Sequence, residues 1–203
     1  MDRHRITSMP GVIVLHALLP PHADAPRVDA WLQRLPYGRQ LEIERQPPRD
    51  RLASILGIEL AIVGAECLGA VGADVSRLRF PQDGKPRFET GPPFSISHTA
   101  TRVAVAVCRD FEVGLDAEDL DEATATDGIR LRLRRWTATE ACLKVLGVGL
   151  RRAADVRLSP RLERATLDGT AVHLRPVVLG PGTICHVATL APVAGISVRE
   201  VRS

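Results

Sequence analysis

Hydrophobic and polar positions change period several times along the chain, and each change marks an element. The apolar run at 11–19, GVIVLHALL, reads as a first strand. Residues 28–35, VDAWLQRL, place Val28, Trp31, Leu32 and Leu35 on one face of a helix. Pro36 and then Pro47-Pro48 interrupt the stretch that follows. The clearest helix covers 49–70, RDRLASILGIELAIVGAECLGA. There Leu52, Ile55, Leu56, Glu59 and Leu60 keep the i, i+3, i+4, i+7 spacing with one charge at the edge, and Pro48 supplies a start signal. Residues 75–90 read as a strand, a turn on Asp83-Gly84 and a return.

FSIS (94–97) is a short strand, and TRVAVAVC (101–108) alternates, with Val103, Val105 and Val107 on one face and Arg102, Ala104 and Ala106 on the other. FEVGLDAE (111–118) is the next strand. A polar patch, DLDEATATDG, and an Arg-rich stretch lead to a helix over 136–147 with Trp136 in its core; Gly147 and Gly149 are stop signals. The tail is strand-like near 171–178, 184–190 and 195–201, with a hairpin turn on Asp168-Gly169. This order predicts an α+β fold in two halves of similar make-up, 1–111 and 112–203, the second carrying most of the acidic candidates. The halves share no direct sequence identity.

Composition narrows the function classes. Hydrophobic residues at 45% and charged residues at 25% are those of a globular protein. Aromatics are only 3%, so Leu, Val, Ile and Ala must build the core. The formal charge of +3 comes without a basic run or a stacking platform, which argues against nucleic acid. No stretch is long enough to span a membrane. MDRHR before the apolar run has the order of a signal peptide, but the run is short, contains His16 and ends in Pro-Pro, so a strand is the expectation. Cysteines at 67, 108, 142 and 185 form no CxxC pair and read as reduced, mostly buried thiols of a cytoplasmic protein. Lysine occurs only at 85 and 144, in a chain whose other basic residues are all arginine.

The candidate chemistry starts at GLDAED, 114–119. Residues i and i+2 of a strand share a face, so Asp116 and Glu118 project together while Leu115 and Ala117 pack the other way. Two acids this close repel unless a cation lies between them, and Mg²⁺ is a hard ion that takes carboxylates, waters and phosphates. An edge strand running into a loop, with both acids solvated, is the alternative. Glu140 and Lys144 are four apart and share a helix face. They form either a surface ion pair or a third carboxylate with a cation for a phosphate. Lys85 stands on the turn GKP (84–86) as a phosphate contact or an exposed hairpin lysine. Ser97 and His98 end the strand of SISHT (95–99), where they reach a ligand or serve structure. Arg130, Arg132, Arg134 and Arg135 are either a solvated basic face or a surface for an acidic partner.

The ordered set GKP (84–86), FSISHT (94–99), GLDAED (114–119) and WTATEACLKVLGVGL (136–150) resembles the Sfp-type 4′-phosphopantetheinyl transferases. DRLASILG (50–57) resembles the start of that family's upstream helix and extends the likeness to about 100 residues. The resemblance implies two similar α/β halves related by a pseudo-twofold, with coenzyme A in the cleft between them. It implies transfer of phosphopantetheine to a serine of an apo acyl or peptidyl carrier protein, by a monomer. Asp116, Glu118 and Glu140 would hold Mg²⁺ against the pyrophosphate, Glu140 would take the serine proton, and Lys144 would neutralise charge on the phosphate. Lys85, Pro86, Ser97 and His98, with Arg51 and Ser54, would hold the nucleotide end. The chain departs from the pattern at Thr139, where a Lys is usual, at Ala53, where an Arg is usual, and in the short 119–135 segment that tends to receive the carrier. These departures keep open a non-catalytic relative that binds coenzyme A or a carrier protein.

Overall fold

Two runs of valine-rich alternation build two separate sheets in the computed structural model, which describes residues 11–20, 25–81 and 85–202. The first sheet is centred on β1 (Val12–Leu18), which pairs antiparallel with β5 (Arg102–Cys108). β4 (Phe94–His98) flanks β5, and the last strand, β11 (Ile196–Glu200), returns to pair parallel with β1. The second sheet has the order β6 (Val113–Asp119), β10 (Thr183–Thr189), β9 (Thr170–Val177), β8 (Arg164–Leu167), β7 (Arg157–Leu158). The fold is therefore mixed α+β. A small ribbon pairs β2 (Leu78–Arg79) with β3 (Arg87–Phe88); the expected Asp83-Gly84 turn lies outside the described residues.

Helices cover the outer faces. α1 (Ala25–Leu32) turns Val28 and Leu32 inward, starting three residues before the apolar pattern does. The stretch between the prolines, expected to be interrupted, holds a helix, α2 (Tyr37–Glu44). Pro36 precedes its first residue, so its missing N–H costs nothing while its carbonyl accepts from Arg39 and Gln40. Pro47 does the same for α3 (Pro48–Cys67), accepting from the N–H of Asp50 and Arg51. The prolines start helices here rather than break them. Ile55, Leu56 and Leu60 of α3 pack with Val103, Val105 and Val107 of β5 in one core cluster. The other face of β5, Ala104, Ala106 and Cys108, meets Val113, Leu115 and Ala117 of β6 between the sheets. Both faces of β5 are buried, which is why its alternation is valine against alanine and not apolar against polar.

α4 (Asp127–Leu146) covers the second sheet and begins nine residues before the expected start at Trp136. Thr126 is its N-cap, accepting from the Ile129 N–H at 3.2 Å, and Gly147 ends it in a left-handed conformation at φ 66°. Gly149 is not a second stop; it precedes a 3₁₀ turn at Leu150–Asp155. Among the described residues no helix is long and apolar enough to cross a membrane.

Candidate functional site

The parity of β6 decides the site. Val113, Leu115 and Ala117 enter the core between the sheets, so Gly114, Asp116 and Glu118 face α4. A Cβ on Gly114 would stand 2.0 Å from the Ala141 carbonyl oxygen and 2.6 Å from the Val145 nitrogen. Only glycine lets the helix lie this close to the strand. The close approach brings Glu140 and Lys144 over the two acids. One oxygen from each of Asp116, Glu118 and Glu140 lies within 4.8 Å of the others. Ser97, His98 and Lys144 line the same recess, whose volume is about 340 Å³.

Asp116 is the buried centre of this cluster. Its Oδ1 accepts from Lys144 Nζ at 2.7 Å and from Ser97 Oγ at 3.0 Å, while its Oδ2 is buried without a hydrogen-bond partner among the described residues. Lys144 Nζ is also 4.0 Å from Glu140. One ammonium thus faces three carboxylates. Burial pushes the Glu140 carboxyl up to about 7, the Asp116 charge adds to the rise, and Lys144 opposes it. Burial also raises Glu118, with Asp116 second, against the hydrogen bond from Trp136. An orphaned carboxylate oxygen in an all-oxygen donor set, one side open to a recess, fits a hard divalent cation such as Mg²⁺.

Ser97 has a second task. β6 is an edge strand, and its Leu115 and Ala117 N–H groups donate to Ser95 Oγ and Ser97 Oγ of β4. Two serine hydroxyls thereby join the sheets where no ladder runs. His98 stands at the rim with its Nε2 4.0 Å from Asp50 Oδ1. The remaining candidates are not brought to the recess. Lys85 Nζ donates to the Val113 carbonyl at 2.9 Å and pairs with Glu112 at 2.5 Å, in a separate recess beside the C-terminal end of α4. Pro86 follows it, half-buried. Arg51 Nε donates to the Gln46 carbonyl and Ser54 Oγ to the Gln46 side chain, so both serve the α2–α3 corner.

Three residues missed in the sequence join the site or its support. Trp136, expected in the core, is 39% exposed, and its Nε1 donates to Glu118 Oε1 at 3.1 Å. The signal was present: Trp136, Glu140 and Lys144 recur every four residues on one helix face. Asp119 accepts from Thr101 Oγ1 at 2.7 Å and keeps its Oδ2 buried with no partner among the described residues. His186, the cross-strand partner of Asp116, is buried with Nδ1 2.7 Å from Thr137 Oγ1; burial, with the Arg134 charge, lowers its pKa to about 4. No family model matches the chain, and no curated protein matches it.

Proposed function

We propose that the protein is a Mg²⁺-dependent 4′-phosphopantetheinyl transferase, acting as a monomer in the cytoplasm. It moves the phosphopantetheine arm of coenzyme A to a serine of an apo acyl or peptidyl carrier protein. The observation that carries this reading is the convergence of Asp116, Glu118 and Glu140 on one point, with Lys144 beside them and one Asp116 oxygen left without a donor. Two of the four motifs that resemble the Sfp-type enzymes, GLDAED and WTATEACLKVLGVGL, supply these residues in order. Two sheets, each carrying a 20-residue helix on its outer face, agree with the two α/β halves of that family.

Asp116, Glu118 and Glu140 would hold Mg²⁺, which when bound polarises the pyrophosphate oxygens and offsets their charge. The carrier serine oxygen forms a bond to the phosphorus that bears the pantetheine arm. The bond from that phosphorus to the bridging oxygen breaks, and 3′,5′-ADP leaves with the electron pair. Glu140, in its carboxylate form, accepts the serine proton directly or through water. Lys144 neutralises charge growing on the phosphoryl oxygens. His98, at the rim, faces the nucleotide end, while Lys85, Pro86, Arg51 and Ser54 serve it only if the coenzyme reorders the segments that hold them. Arg132 and Arg135 flank Leu131 and Trp136 along a groove of about 420 Å³, a cationic and apolar strip suited to an acidic carrier.

The test is incubation with coenzyme A, Mg²⁺ and a panel of apo carrier proteins, read by mass spectrometry. A gain of one phosphopantetheine arm, abolished by EDTA, is expected. Tight coenzyme A binding without any gain would leave a non-catalytic binder in its place.

A further inference from the structure

The second sheet carries a second concentration of charge, of opposite sign and on the opposite face. Val172 and Leu174 of β9 pack under α4, so His173 and Arg175 face away from it. His173 is the cross-strand partner of Arg164 on β8 and of Thr189 on β10, and the three form a row. The connection 190–195 folds over this row and is tied down. Thr189 Oγ1 donates to the Ala191 carbonyl at 2.8 Å, Arg175 Nη2 to the Val193 carbonyl at 3.4 Å, and Val193 is buried between the sheets. The result is a preformed recess of about 380 Å³ walled by Pro176 and Pro192.

Basic side chains placed side by side destabilise a sheet unless a counter-charge lies among them. Neither Arg164 nor Arg175 forms an ion pair among the described residues, and Glu163 is the one carboxylate on the lining. The cationic excess is unspent, and the walls beside it are apolar. A cavity this small admits a single small molecule and not a strand of nucleic acid or a protein helix. We propose that this recess binds a small phosphate monoester. The guanidinium groups of Arg164 and Arg175 grip the oxyanion, His173 donates a further hydrogen bond, and the ester group lies on Pro176 and Pro192. The site requires no metal and is independent of the acidic recess across the sheet, so it stands whether or not the transferase reading does.

Phenyl phosphate is the probe, titrated into the ¹⁵N-labelled full chain with EDTA present. Saturable shifts of the His173, Arg175 and Val193 amides are expected, with none from phenol and weaker binding of inorganic phosphate. The double variant R164Q/R175Q should weaken phenyl phosphate by about tenfold or more. Should that variant fail to fold, R164Q alone carries the test, because the Arg164 side chain is exposed and makes no hydrogen bond among the described residues. Absence of saturable shifts at millimolar phenyl phosphate, or equal affinity in the variant, overturns the site. Equal affinity for inorganic phosphate overturns the assignment of the apolar wall.

Discussion

Lys144 Nζ lies 2.7 Å from Asp116 Oδ1 and 4.0 Å from Glu140, so one ammonium on α4 is shared between carboxylates of facing elements. Three acids around one cation leave net repulsion, and the buried Asp116 oxygen without a donor makes it worse. A cluster built for stability would not be arranged this way. Asp116→Asn keeps the size of the side chain and removes its charge. On the proposed transferase reading, carrier modification should fall at least about a hundredfold while the melting temperature holds or rises. Wild-type turnover in that variant would remove Asp116 from the site.

Burial of Glu140, reinforced by the Asp116 charge, sets a pH dependence. Glu140 titrates near 7 in the folded chain against 4.5 as its ordinary value. Its raised pKa therefore adds stability that is full below about 4.5 and is lost as pH rises through about 7. His186, lowered to about 4, works in the other direction, adding stability above 6.5 that is lost as pH falls through 4. Subtracting the melting curve of Glu140→Gln from that of the wild type isolates the Glu140 part. In EDTA that difference should change by on the order of 2 kcal/mol across the window, less whatever solvent screening removes. Mg²⁺ should flatten it. A pH-independent difference would show that Glu140 is not held in this carboxylate cluster.

Trp136→Phe separates packing from positioning. The indole is 39% exposed, so the loss of stability should stay under about 1 kcal/mol. What disappears is the 3.1 Å donor that fixes Glu118. Calorimetric titration with Mg²⁺ should show affinity weakened by about tenfold, the usual effect of removing a hydrogen bond that orients a ligand. Unaltered Mg²⁺ affinity would make the contact incidental.

Gly114→Ala should be among the most damaging single changes in the chain. Its methyl would drive into the backbone of Ala141 and Val145, which cannot move as a side-chain tip can. A cost of at least about 3 kcal/mol is expected, read by denaturant unfolding. A stable Gly114→Ala protein would mean that α4 can lift off β6 without loss, and its activity would then report how far the carboxylates can separate.

The acid cluster was legible because both of its halves obey fixed periods. Asp116 and Glu118 follow the two-residue repeat of β6, and Glu140 and Lys144 follow the four-residue repeat of α4. What brings the halves together, a glycine under a helix, has no periodic signature. The first turns of α4 were hidden because residues 127–135 lie largely along solvent and Ile129, Leu131 and Leu133 alternate with arginines at a two-residue period instead of a helical one. α2 was hidden by prolines that look like breaks and serve as starts. Trp136 misled because its size reads as core while its ring nitrogen is what the site uses. Lys85 was placed by the GKP turn and its likeness to a family motif, and neither says anything about Glu112, three strands on along the chain.

The pairing of β11 with β1 has a consequence for the order of events during synthesis. Val12 meets Ile196, and His16 meets Glu200. β1 waits beside β5 with its other edge bare until residues 196–200 have left the ribosome. Closing the first sheet then requires a contact between strands far apart in sequence, a slow kind of step. Until it happens, the bare edge of β1 is where a nascent molecule is most exposed to pairing with a neighbour, so a chaperone that shields extended apolar segments should matter most for the run at 12–18.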